Sequence, residues 1–131
     1  MAVEEITAES YRDVVSQPGI TFVSFWATWC KPCEKFGPVY RAASERHPEV
    51  RFTKIDSTAH KSMLKVVDVR QIPTIMVYRD GILIHKEAGT PPAEVLDEIV
   101  RQTAALDMEQ LRTRRTPGDE VVEAEDKSTD H

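Results

Sequence analysis

The 131-residue chain has two cysteines, and they stand three apart as Cys30-Lys31-Pro32-Cys33. On the first turn of a helix that spacing puts both side chains on one face, where two thiols can close a disulfide across four residues. With Cys30 near the N-cap and Cys33 at about the third helical position, the Cys30 sulfur meets unpaired backbone N–H groups and the positive end of the helix. Both favour thiolate over thiol. A thiol at its ordinary pKa of ~8.5 is only about 3% ionised at neutral pH. Pairs of this spacing commonly titrate near ~7, where about half is thiolate, a difference of roughly 2 kcal/mol. Lys31 adds positive charge in the same direction, and Pro32 stiffens the turn without bringing an N–H into it. The chemistry implied is thiol–disulfide exchange. The Cys30 thiolate attacks a disulfide, Cys33 displaces the mixed disulfide, and a second reductant restores the pair. Cys30, at the exposed N-terminal end, is the expected nucleophile; Cys33, facing inward, is the expected resolving thiol. Two blander readings stand beside this one. The thiols can be inert core residues, or they can be zinc ligands. A zinc site needs about four donors, and His47, His60, His85 and His131 have no ligand spacing to the pair or to one another. Neither metal nor bound cofactor is therefore expected.

Several elements must position the pair. Ile20 to Ala27 is nearly continuously apolar, β-branched and aromatic, and it runs directly into the cysteines. That is the pattern of a strand covered on both faces. A helix from about Cys33 to Arg46 carries Phe36, Val39, Tyr40 and Ala43 on one side, holds Pro38 inside and ends at His47-Pro48. Before them, Thr7 caps a helix reaching about Ser16, with Tyr11, Val14 and Val15 inward. After them come a strand from Val50 to Asp56 and a short helix from His60 to Val67. Strands at Ile75–Tyr78 and Ile82–His85 follow, joined at Arg79-Asp80-Gly81. Pro91-Pro92 opens a last helix whose buried stripe is Val95, Leu96, Ile99 and Val100 and which runs on as far as Arg115. The predicted order is β-α-β-α-β-α-β-β-α, an α/β class with a mixed sheet of about five strands flanked by about four helices.

Length suits one domain, taken as residues 1–115 with its core at about 3–106. Residues 116–131 hold six carboxylates against Lys127, which accounts for the whole net charge of −5. Their polar, aperiodic composition predicts a disordered tail. The other 115 residues balance at 16 basic and 16 acidic, so nothing favours nucleic acid or an anionic membrane. The longest apolar run is too short to span a bilayer, and the first residues show no signal-peptide pattern. A cytoplasmic monomer in a reducing compartment is the expectation, where two cysteines read as reactive rather than as a staple. Arg112, Arg114 and Arg115 are expected to form a solvated helix end or to clamp the tail.

The stretch Phe25-Trp26-Ala27-Thr28-Trp29-Cys30-Lys31-Pro32-Cys33, with Pro38, Ile72-Pro73-Thr74, Asp80-Gly81 and Gly89, resembles the thioredoxin family from about Val3 to Leu106. A lone Cys-X-X-Cys is a weak signal; its strand–helix context followed by Ile-Pro-Thr is a strong one. The resemblance implies the thioredoxin fold and a protein-disulfide reductase with no cofactor beyond the cysteine pair. Its clients would be disulfide-containing proteins, and its reductant an NADPH-linked thioredoxin reductase. It also implies a cis peptide bond before Pro73 and a client-docking surface of Trp29, Ile72, Pro73 and Gly89. Trp26 is expected to pack under the site. Two positions depart from the family. Lys31 replaces the usual glycine and should make the pair a weaker reductant. Ser24 replaces the usual buried aspartate, and a hydroxyl cannot act as a base near neutral pH. Lys54, the usual partner of that carboxylate, then loses its role, and resolution should be slow unless water or another group takes the proton. Glu34, next to Cys33, is expected to point elsewhere. Two further functions compete with the general reductase: a dedicated partner of one client with altered potential, and a non-catalytic binding module using the same groove.

Overall fold

The computed structural model describes residues 3–113. Five strands and five helices follow one another: β1 (Val3–Ile6), α1 (Ala8–Val15), β2 (Ile20–Trp26), α2 (Lys31–Arg46), β3 (Arg51–Asp56), α3 (Lys61–Val66), β4 (Thr74–Arg79), β5 (Ile82–Ala88), α4 (Ala93–Ala104) and α5 (Met108–Thr113). The sheet order is β1-β3-β2-β4-β5. β1, β3 and β2 run parallel, and β4 and β5 are antiparallel additions. The expected class holds, with one more helix than the sequence pattern indicates. The proposed tail, with Arg114 and Arg115, lies outside the described residues.

β2 is central because its side chains are apolar on both faces. On one face Phe22 joins Phe36 and Tyr40 of α2, Phe52 of β3, and Leu96 and Ile99 of α4. On the other, Val23 and Phe25 pack with Tyr11 and Val15 of α1 and with Val67 beyond α3. Strand periodicity then assigns Ser24 and Lys54, two residues beyond Phe22 and Phe52, to the α2 side. They face each other in the β2–β3 register.

The ends of the elements follow local chemistry. Thr7 and Ser10 form a reciprocal capping box at α1. Asp80 and Gly81 both take positive φ, the left-handed pair that a tight hairpin of the type I′ class requires. β5 continues past the expected His85 to Ala88, because its outer edge tolerates His85, Lys86 and Glu87 while its inner edge pairs with β4. The outermost strand on the other side, β1, presents Glu4 and Glu5 to solvent.

The long last helix expected as far as Arg115 is instead two helices. Arg79 donates from Nη1 to the Thr103 carbonyl at 2.7 Å. The same nitrogen also donates to the Ala104 carbonyl. Together these bonds close α4 where its last C=O groups lose intrahelical partners. Asp107 then caps α5 by accepting from the Gln110 N–H at 3.1 Å. Arg112 faces Asp80, with 3.7 Å between Nη1 and Oδ2.

The end of α2 is tied to α4 by Asp97. Arg46 donates to Asp97 Oδ1 from Nε at 3.1 Å and from Nη2 at 2.8 Å, and His47 Nε2 lies 2.7 Å from the same oxygen. The Arg46 hydrogen bond, then that of His47, holds the Asp97 carboxyl below its ordinary value. Because the folded pKa is depressed, the stabilisation is complete above the unfolded value of ~3.9 and fades as pH falls through the folded value. The side chain is 36% exposed, which confines the effect to the surface-pair range. Asp97→Asn is therefore expected to cost about 0.5–1 kcal/mol in urea denaturation at pH 7. The gap to wild type should narrow as pH falls through the depressed folded pKa of Asp97.

Candidate active site

β2 delivers the chain to the cysteine pair. After Trp26 the backbone turns, closing a hydrogen bond from the Cys30 N–H to the Ala27 carbonyl at 3.2 Å. Cys30 is the N-cap of α2 in extended conformation, φ −93° and ψ 108°, and Lys31, Pro32 and Cys33 fill the first three helical positions. The Cys33 N–H donates to Cys30 Sγ at 3.2 Å. A sulfur thus takes the place of the hydroxyl or carboxylate oxygen that normally caps a helix. The two cysteines form a disulfide with Cα atoms 5.2 Å apart, inside the range usual for such bonds.

The surroundings come from distant segments. Trp26 and Ile72 pack against Ala27 and both half-cystines. The Ile72–Pro73 bond is cis. The Pro73 carbonyl accepts from the Gly89 N–H at 2.9 Å. Gly89 adopts φ of +100°, which disfavours any side chain. Trp29 stands 69% exposed beside the pair. Because β4 is antiparallel to β2, with Phe25 opposite Thr74, Pro73 starts at the edge where β2 ends. Trp29, Ile72, Pro73 and Gly89 therefore belong to one edge of the sheet.

One expectation changes. Cys30 is not exposed: at 3% it is more covered than Cys33 at 9%, and Trp26 and Ile72 pack against the pair. Lys54, opposite Ser24 in the β2–β3 register, holds its ammonium 5.0 Å from the centre of the Trp26 ring, a cation–π contact. Glu34, exposed on α2, borders with Cys33, Ser24 and Lys54 a cavity of about 670 Å³ beneath α2. Tyr40 also borders that cavity. Its hydroxyl donates to the Thr53 carbonyl at 2.7 Å, and burial pushes its pKa well above the ordinary value, so it stays protonated. Trp26 packs as expected, with a buried indole N–H that has no hydrogen-bond partner.

One supporting group went unread. Asp68 adopts a positive φ in the loop leading to Pro73, a conformation rare outside glycine. Arg70 Nε donates to its carboxylate at 2.9 Å, and Lys86 of β5 donates to its carbonyl. Asp is among the residues that enter this region most readily, but no local pattern names the partner 18 residues away.

A disulfide capping the helix that follows a central strand, with a cis proline beside it, defines a thiol–disulfide oxidoreductase on an α/β scaffold. The thioredoxin family pattern matches residues 2–102. Staphylococcus saprophyticus thioredoxin is 33% identical over 103 residues, covering 78% of this chain and 98% of that one. Among solved structures, Malassezia sympodialis thioredoxin aligns with a TM-score of 0.71 at 27% identity, over 79% of this chain and 91% of that one. Mitochondrial thioredoxin 3 of Saccharomyces cerevisiae, in its oxidised form, aligns at 0.70 and 27% identity, over 76% and 94%. The chain belongs to the thioredoxin family and is a protein-disulfide reductase that works through its own redox-active cysteine pair.

The Gly89 conformation gives a direct check. A Cβ there meets nothing within 4 Å, so Gly89→Ala adds backbone strain without a clash. A destabilisation on the order of 1–3 kcal/mol is expected in chemical denaturation.

Proposed function

We propose that Cys30 is the nucleophile and Cys33 the resolving thiol in the reduction of client-protein disulfides. The observation that carries this is the Cys33 N–H held on Cys30 Sγ at the start of α2. When the disulfide opens, that amide and the helix end favour negative charge on Cys30 over Cys33. The client lies extended across Trp29, Ile72, Pro73 and Gly89, adding itself as a strand beside the Ile72–Pro73 bond. The Cys30 thiolate attacks its disulfide. Cys33 then attacks Cys30, freeing the reduced client and reforming the internal disulfide. An NADPH-linked thioredoxin reductase returns the electrons. The reading places a monomer in the cytoplasm, where a lone cysteine pair suits redox chemistry better than stapling.

Lys31, at the first position of α2, favours the reduced dithiol and so weakens it as a reductant. Pro32 holds the turn rigid. Ser24 supplies no base to Cys33, and water in the cavity takes the proton instead.

Turnover of insulin by NADPH and a thioredoxin reductase tests the activity. Cys30→Ser should abolish it, whereas Cys33→Ser should stall as a covalent mixed disulfide with the client, visible by mass spectrometry. No turnover with an intact dithiol would point to a dedicated client. Full function in the double serine variant would leave only a binding module. Ser24→Asp should raise the rate at which the mixed disulfide resolves in stopped-flow measurements; equal rates would remove Ser24 from the account.

A further inference from the structure

The segment that carries Ile72 and Pro73 is held from β5 at two points. It runs from Val67, the C-cap of α3, to Thr74, the first residue of β4. At its far end the N–H of Gly89, the residue after β5, donates to the Pro73 carbonyl at 2.9 Å. At its near end Lys86 Nζ donates to the Asp68 carbonyl. The same ammonium lies 4.0 Å from Asp68 Oδ2. Asp68 turns the chain with φ of 56°, a conformation that a non-glycine residue keeps only where its surroundings hold it. Its N–H donates to the Lys65 carbonyl at 3.3 Å, and the Val69 N–H donates to the Leu64 carbonyl at 2.8 Å. Beyond the buried Val69, only the exposed Arg70 and Gln71 precede Ile72.

Alternation along β5 sets Lys86 apart. His85 and Glu87 share one face, where His85 Nε2 lies 2.8 Å from Glu87 Oε1. Lys86 takes the other face, opposite Met76 in the β4–β5 register. Met76 belongs to the core cluster that includes Val67 and Val69. Only 16% of the Lys86 side chain is exposed. Covering an ammonium is costly, and an apolar side chain there would extend that core without the cost. Stability alone does not account for a cation at this position; the carbonyl that it fixes does.

We propose that Lys86 is a positioning residue for client docking: it holds the Asp68 turn so that the backbone at Ile72 meets an extended client at a fixed place. This rests on the docking surface of Trp29, Ile72, Pro73 and Gly89, and adds to it a residue that touches neither client nor sulfur. Strand addition draws its affinity from main-chain hydrogen bonds, and that affinity falls if the receiving backbone must first be ordered. With Lys86 on one end and Gly89 on the other, the segment is ordered before the client arrives. The Lys86 bond is charge-assisted, and both anchors come from one stretch of chain three residues long, so their spacing is fixed. The contact makes no demand on Cys30, which reacts from the start of α2.

The pre-reduced full-length protein is mixed with insulin in single-turnover stopped flow. Hydroxyethyl disulfide, too small to lie along the docking surface, serves as the reference oxidant. Lys86→Met keeps an apolar stem and removes the ammonium. Its half-saturating insulin concentration should rise about tenfold, the size expected from losing one hydrogen bond to a charged group. The limiting rate, and the rate with hydroxyethyl disulfide, should stay at the wild-type values. The shift should persist at high salt, where attraction between distant charges is screened. An unchanged dependence on insulin, an equal loss towards hydroxyethyl disulfide, or a shift that vanishes at high salt each overturns the proposal. Trp29→Ala reads the docking surface by itself. If it leaves insulin reduction intact, that surface and this proposal fall together; if it weakens insulin reduction while Lys86→Met does not, this proposal alone fails.

Discussion

The interaction on which the structure turns is one backbone amide donating to one sulfur. The Cys33 N–H reaches Cys30 Sγ only if strand β2 ends, and helix α2 begins, at fixed places relative to each other. Most of the fold serves that constraint. β2 is clamped between β3 and β4 and packed on both faces. α2 is fixed along its length by Phe36 and Tyr40 in the core and at its far end by Arg46 and His47 on Asp97. A backbone amide has no protonation equilibrium in the working range of pH. The preference it imposes between the two sulfurs is therefore set by geometry and not by the state of a neighbouring side chain.

The sheet changes character as it approaches the site. Phe22 and Phe52 stack on neighbouring strands with ring centres 4.7 Å apart, filling the layer under α2. Two residues further on, the same face carries Ser24 and Lys54, and close packing gives way to the cavity. The Lys54 ammonium is accommodated there because it finds the face of Trp26. The apolar half of the layer supplies rigidity, and the open half leaves Cys33 bordering the cavity.

Much of this was legible in the chain because the signals are local. The cysteine spacing, the β-branched run before it, the Thr7 cap and the Asp80-Gly81 turn each describe a few adjacent residues, and each element formed where those residues placed it. The misreadings share one cause, dependence on a partner far along the chain. Residues 93–113 carry a continuous helical pattern until Arg79 reaches over from β4 to close α4. Lys86-Glu87 looks too polar for a strand until it is known to lie on an outer edge. Cys30 looks exposed until Trp26 and Ile72 are packed against the pair.

The two outer strands bear on the company this protein keeps. β1 ends one side of the sheet with Glu4 and Glu5 exposed, and β5 ends the other with His85, Lys86 and Glu87 beside a ladder broken by a bulge at Val77–Tyr78. Charge and irregularity of this kind discourage further strands from joining a sheet. A reductase handles chains that its own chemistry has just freed from a covalent tie, often with extended segments seeking a neighbour. Sheet borders that refuse such segments let it release what it has loosened instead of becoming the nucleus of an aggregate.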